Sequence, residues 1–122
     1  VVKAGVVAAV FSGLPSTVHA ALSGRDVLAA ARAAGTLMPG GKSDALAGAV
    51  AHIAVSAGWT VVLAAVNRQR RLGVLGGAVA GLVIAAVDLK IVGRRYPAIQ
   101  ELPQVPQWLD HVAFGAIAGG ML

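Results

Sequence analysis

Apolar residues run through this chain in four long stretches, with polar residues gathered between them. The first stretch extends from Val1 to about Leu22, with Lys3 its only charged residue. The second runs from about Asp44 to Val66 and is closed by "NRQRR"; the third runs from about Leu72 to Val92 and is closed by "GRRYP". The fourth opens at "PQWLDHVAFG" and continues to Leu122. None alternates with the period of two that marks a half-buried strand. Each is about 17–23 residues long, and about 20 helical residues span the ~30 Å hydrocarbon core of a bilayer. The pattern predicts an all-α membrane protein: a four-transmembrane-helix bundle in one domain over residues 1–122, with helices at about 1–22, 44–66, 72–92 and 106–122.

The breaks between runs refine this picture. In "FSGLPSTVHAAL", Pro15 has no N–H to donate to the carbonyl of Phe11, and its ring crowds that turn, so a helix kink is expected there. Ser12, Ser16 and Thr17 are placed to satisfy the freed backbone groups. Lys3, the apolar stretch and Val18-His19-Ala20 also imitate a signal peptide; a first transmembrane helix is the favoured reading. The segment "SGRDVLAAARAAGTLMPGGKSD" predicts a short helix over about 26–36. It would set Val27, Leu28, Ala31 and Ala34 opposite Arg32 and end at Pro39-Gly40-Gly41. Such a helix is expected at the membrane surface between helices 1 and 2, although a plain exposed connector fits its weak amphipathicity equally well. Pro97, Pro103 and Pro106 predict extended chain before helix four, with Pro106 in that helix's first turn. Tyr96 and Trp108 fall where interfacial aromatics belong.

Composition supports lipid as the solvent. The chain is 57% hydrophobic and 12% charged, against about 25% charged in soluble domains, and a 122-residue soluble core has no room for so many apolar side chains. The net charge of +5 raises the question of nucleic acid. With 4% aromatics and basic residues confined between apolar runs, lipid phosphate is the better partner and nucleic acid is not expected. Arg68, Arg70, Arg71, Arg94 and Arg95 are the candidate headgroup contacts. Absence of cysteine excludes disulfides and thiolate ligands, and no cofactor is expected. Arginine over lysine, with abundant Ala, Val and Gly, has the look of a high-GC bacterial chain, and the bacterial inner membrane is the expected location. The dense Arg68, Arg70 and Arg71 loop places both termini in the cytoplasm by the positive-inside rule; the greater number of basic residues on the other side, among them Arg25, Arg32, Lys42 and Lys90, pulls the opposite way.

Helix association in lipid rests on close packing and interhelical hydrogen bonds. Small residues recur every four positions at Gly5, Ala9 and Gly13, at Gly73, Gly77 and Gly81, and at Gly115 and Gly119, which suits helix packing within the chain or against a partner. In helix two, His52, Ser56 and Thr60 share one stripe that should face inward. Connectivity alone places His19, His52, Asp88, Asp110 and His111 in the same half of the bilayer, whichever way the chain is inserted. Ionisable groups inside membranes are rare and mark functional sites, so these five form a candidate polar cluster. The structural alternatives are plain: His19 snorkels near Arg25, His52 bonds a neighbouring backbone, Asp88 pairs with a cation or histidine, and Asp110 sits at a positive helix end. No ligand spacing such as HExxH is present, so no metal is expected, and no catalytic residue stands out.

Two segments, "AHIAVSAGW" and "GGAVAGLVIAAVDLKIVGRRYPAIQELPQVPQWLDHVAFGAIAGG", carry a likeness. With His52, Ser56 and Trp59, a glycine-rich third helix ending near Asp88, a proline-bearing loop and Asp110-His111 before Phe114-Gly115, the chain resembles uncharacterised small four-helix inner-membrane proteins of bacteria. The likeness spans most of residues 44–120; it implies the architecture and no activity. Three function classes follow from the residues. The first is a non-enzymatic accessory subunit of a larger membrane transport or envelope complex, lipid transport being one such host, docking through Gly/Ala faces or forming a homo-oligomer. The second is a small proton-linked transporter or channel using His52, Asp88 and His111. The third, a lipid-modifying enzyme with a His/Asp base, lacks an evident nucleophile or metal motif.

Overall fold

A computed structural model describes all 122 residues, and every regular element in it is helical. The first apolar run is broken into α1 (Val2–Phe11) and α2 (Leu14–Leu22). A short α3 (Ala29–Gly35) follows, and its turn is closed by Gly40 and Gly41, whose φ values of 94° and 62° favour glycine. The longest helix is α4 (Ala45–Gln69), with the Asp44 carboxylate accepting from the backbone N–H of Leu46 and Ala47 as an N-cap. Next comes α5 (Gly73–Ala85), which continues as a π-helical turn over Ala86–Val92 and a 3-10 turn over Gly93–Arg95. A four-residue α6 (Pro97–Gln100) and the final α7 (Gln104–Met121) complete the chain. The interval expected to be extended before helix four therefore holds α6, with Pro97 in its first turn. Pro106 lies in the first turn of α7, where a missing N–H costs nothing.

Three helical stretches are long and apolar enough to cross a membrane: Val2–Leu22, Ala45–Gln69 and Gly73–Arg95. The expected count was four. The helix α7 is present but falls outside that group, because Gln104, Gln107, Asp110 and His111 make its first half polar. Nor is α3 a free amphipathic helix: it packs along α4 and against α6, with Ala33 and Gly35 buried.

The interior and exterior are reversed relative to a water-soluble bundle. Six of the eleven buried hydrophobic residues are alanines, and Ser12, Ser56 and Thr60 are buried with them. The outer faces carry the large side chains, with Leu46 76% and Leu75 83% exposed. Small residues inside and large apolar ones outside are what lipid as solvent demands, since close backbone approach replaces the hydrophobic effect between helices.

The principal close approach is between α5 and α7. A Cβ added at Gly77 would strike the Gly115 carbonyl, one at Gly81 the His111 backbone, and one at Gly119 the Gly73 and Gly77 backbone. Gly77, Gly81, Gly115 and Gly119 are thus used within the chain; a Cβ on Gly73 meets nothing within 4 Å, and its φ of 64° is what favours glycine there. Gly5 meets Thr60 across the α1–α4 crossing. Gly13 does not pack: a Cβ there meets nothing within 4 Å, and the residue lies instead at the break between α1 and α2. The break falls just ahead of Pro15, at Ser12-Gly13.

Around the bundle, α7 is the hub, packing on α5, α1 and α2, whereas α4 leans on α3 and α1 and touches α5 little. Two apolar cores result. One joins Ala8, Leu63, Ile84, Phe114 and Ala118; the other joins Ala33, Ala85, Leu89 and Ile99 near the α3–α6 end. The space between them is not filled.

Candidate functional site

The unfilled space is a cavity of about 420 Å3, bounded by α2, α3, the first half of α4, the π-helical turn and the first half of α7. Most of its wall is apolar, with Val55, Ile84, Leu89 and Phe114 among the lining residues. Four of the five candidate cluster residues line it: His52, Asp88, Asp110 and His111. The fifth, His19, does not; it is exposed and borders a separate small pocket of about 50 Å3 with Arg25 and Asp26.

Asp88 is held from two directions. The indole Nε1–H of Trp59 donates to both carboxylate oxygens at 3.1 and 3.2 Å, and His111 Nε2 lies 3.2 Å from Oδ2. The other imidazole nitrogen, Nδ1, is 2.7 Å from the carbonyl oxygen of Gln107. A carbonyl only accepts, so Nδ1 carries a hydrogen. Nε2 and Asp88 then hold one proton between them: either an imidazolium donates to a carboxylate, or a carboxylic acid donates to a neutral ring. Both forms are fully hydrogen-bonded and carry no net charge. The two side chains are 21% and 20% exposed, Asp88 and His111 respectively, so the pair opens to the cavity rather than being sealed.

The backbone around Asp88 explains its aim. Through Ala86–Val92 the helix widens to the π form, a local distortion frequent at functional sites. Gln100 Nε2 donates to the Leu89 carbonyl at 3.1 Å. The N–H of Gly93 bonds back to the Asp88 carbonyl. A Cβ at Gly93 would sit 2.9 Å from that same oxygen and 3.1 Å from Ile99 Cγ2, so this turn closes only around glycine.

Asp110 has a different task. The backbone N–H of Ser16 donates to its Oδ1 at 2.8 Å, and the Ser16 hydroxyl bonds its Oδ2. In an unbroken helix Ser16 N–H would meet the Ser12 carbonyl; the break frees it, and a carboxylate from α7 takes it. The hydroxyls of Ser12 and Thr17, expected to repair the break, make no such bond; Ser16 alone reaches a nearby carbonyl, that of Gly13 at 3.3 Å. His52 spans to the first helix, with Nε2 2.8 Å from the Ala9 carbonyl. Its stripe partners are buried: Ser56 lines the cavity, and the Thr60 hydroxyl bonds the Ser56 carbonyl at 2.7 Å.

Sequence reasoning did not single out Trp59, Gln107 or Ser16 as site residues. Trp59 lies seven positions after His52, on the same helical face, which was the available signal; the Gln107 carbonyl and the Ser16–Asp110 contact had none. Arg68, Arg70 and Arg71 are exposed at one end of the third apolar stretch, and Arg94 and Arg95 at the other. The stretch Gly73–Arg95, 23 residues that end on the second arginine group, would measure about 34 Å as an ideal helix. No protein-family model, curated protein or solved structure matches this chain.

Proposed function

We propose that the chain is a small non-enzymatic carrier of the bacterial inner membrane, coupling movement of a solute to movement of a proton through the cavity bounded by His52, Asp88, Asp110 and His111. The observation that supports this is the Asp88–His111 pair, which holds one proton without net charge on the wall of an open, mostly apolar cavity. Proton relays built from Asp and His recur in membrane transport for this reason. In this reading α7 crosses as the fourth helix, α3 lies near headgroup level over the cavity, and both termini are cytoplasmic. The two arginine groups then meet the phosphates of opposite leaflets. The accessory-subunit reading stands as a second proposal: Gly77, Gly81, Gly115 and Gly119 are occupied within the chain, whereas Gly13 and Gly58 have open space beside them for a partner helix.

The test is proton entry into liposomes that carry a trapped pH-sensitive dye, under an imposed pH gradient, with and without small amphiphilic solutes outside. Entry faster than in protein-free vesicles, returning to that baseline in His111→Ala and Asp88→Asn, is the expected result. Rates equal to protein-free vesicles for the unmodified protein under every condition overturn the reading.

A further inference from the structure

The charge balance of the cavity bears on which solutes fit it, a question that rests on the carrier reading but has its own test. No lysine or arginine lines the cavity; its ionisable side chains are His52, Asp88, Asp110 and His111. Asp88 and His111 share one proton and cancel. A neutral His52 needs only its Nε2–H to satisfy the Ala9 carbonyl. Asp110 remains. The two ion pairs of the chain are Arg32–Asp26 and His111–Asp88, so Asp110 has none. Its direct partners are the N–H and hydroxyl of Ser16, which are dipoles rather than charges. An ionised Asp110 therefore leaves the cavity with one uncompensated negative charge among apolar walls, a costly arrangement that a cation relieves.

The hydrogen bonds around Asp110 accommodate both of its protonation states. Ionised, it accepts from the Ser16 backbone and hydroxyl. Protonated at Oδ2, it donates to Ser16 Oγ, whose own hydrogen turns to the Gly13 carbonyl at 3.3 Å. The proton can leave or return without orphaning a polar group. The titratable groups facing Asp110 are His52 from α4, His111 on its own helix and Asp88 from the π-helical turn. No titratable residue of α3 lines the cavity, while His19, Arg25 and Asp26 border the adjoining small pocket, which shares Ser16 and Gln107 with it.

We propose that the cavity binds lipophilic organic cations, with Asp110 as the counter-ion and a proton on Asp110 as the competitor. The volume of about 420 Å3 falls in the range of small-molecule sites, about 300–1,000 Å3. Val55, Ile84, Leu89, Phe114 and the Trp59 ring suit the apolar substituents of such a cation; aromatic faces also attract positive charge. An anion finds no lysine or arginine here, and the His111 ring is already paired with Asp88; a many-hydroxylated solute finds few partners. Binding of the cation to the protonated site releases that proton to water.

The probes are tetraphenylphosphonium and tetraphenylborate, near-identical in size and shape and opposite in charge. Binding is read in neutral detergent micelles from Trp59 fluorescence in a Trp108→Phe background. The expected result is saturable phosphonium binding, at least about tenfold tighter than borate, as a partly screened charge contact requires, and weaker at pH 5 than at pH 8. Asp110→Asn, with helical circular dichroism unchanged, should lose about tenfold or more. His52→Gln, which keeps a donor for Ala9, should retain the pH dependence. Borate binding as tight as phosphonium, or unchanged phosphonium affinity in folded Asp110→Asn, overturns the proposal. Should that variant misfold, the comparison of the two ions on the unsubstituted cavity decides alone. Phosphonium binding without proton-coupled flux removes the carrier reading and leaves the site; flux without binding removes the cation site only.

Discussion

Replacing Gly115 with alanine tests whether the α5–α7 seam sets the geometry of the whole bundle. The new Cβ would lie 2.7 Å from the Gly81 nitrogen and 2.8 Å from Gly81 Cα, and closer still to the Gly77 carbonyl. Restoring an ordinary 3.4 Å contact to the Gly81 nitrogen alone requires about 0.7 Å, and the closer Gly77 carbonyl requires the helices to part by more than that. A gap of about 0.5–1 Å forfeits a quarter to a half of each dispersion contact along the seam. Overpacking of this kind costs about 1–3 kcal/mol, partly offset by the ~1 kcal/mol that alanine gains over glycine in a helix. Gly58→Ala is the control, because its Cβ meets nothing within 4 Å, so only the propensity gain operates. Unfolding in mixed detergent micelles, followed by circular dichroism, should rank Gly58→Ala at or above the unsubstituted protein and Gly115→Ala below it by about 1–2 kcal/mol. Gly115→Ala as stable as Gly58→Ala would refute the seam.

Three further substitutions probe the site and its setting. Asp110→Ala removes the acceptor of the Ser16 N–H and hydroxyl and should cost about 1–2 kcal/mol in the same assay, the size of a lost helix cap; no loss would mean the α1–α2 break is held by other contacts. Gly93→Ala forces the Asp88 carbonyl or Ile99 to move, so the Trp59–Asp88 bond should weaken and Trp59 emission should shift, measured with Trp108 replaced by Phe. Unshifted emission would show that Gly93 does not set the aim of Asp88. Exchanging Arg70 and Arg71 for glutamine should reduce affinity for anionic over neutral lipid by about 1 kcal/mol per residue, read by lipid titration of the detergent-solubilised protein.

Much of this architecture is legible in residue order because the controlling variables are local. Uninterrupted apolar runs mark the long helices, Asp44 caps α4, and connectivity alone assigns four of the cavity's polar residues to one end. What was not legible depends on rotation about a helix axis or on distant partners. Depth does not fix direction, so His19 shares a level with the others yet faces outward on α2. The Ser16–Asp110 contact joins residues 94 positions apart, and no local pattern encodes it. "AVDLKIV" reads as ordinary helix, and its π form depends on Gly93 packing under Ile99 and on the Gln100 side chain reaching the Leu89 carbonyl. The weak amphipathicity of the α3 segment has the same origin: its alanine face meets protein at α4, where Gly48 lets the Ala31 backbone come close.

The cavity itself follows from where the small residues lie. Glycine seams draw α7 onto α5, and single glycines draw α1 and α3 onto α4. No such seam joins α4 to α5, although only three residues separate them, and their contact is slight. The α3–α4 pair thus meets the α5–α7 pair across a loose boundary, with α1 packing on both α7 and α4. Leu63, Ile84 and Phe114 bridge that boundary at one end, and Leu89 and Ile99 help close the other. Between them one polar contact crosses, Trp59 to Asp88, while Asp88–His111 ties the π-helical turn to α7 and His52 ties α4 to the Ala9 carbonyl of α1. The hydrogen bond that crosses the boundary at mid-cavity therefore ends on Asp88, a side chain that also lines the cavity. Under the proposed exchange at Asp110, whose bonds to Ser16 join α7 to α2, an arriving cation would act directly on the contact between those helices, which is the physical requirement for coupling occupancy to helix movement.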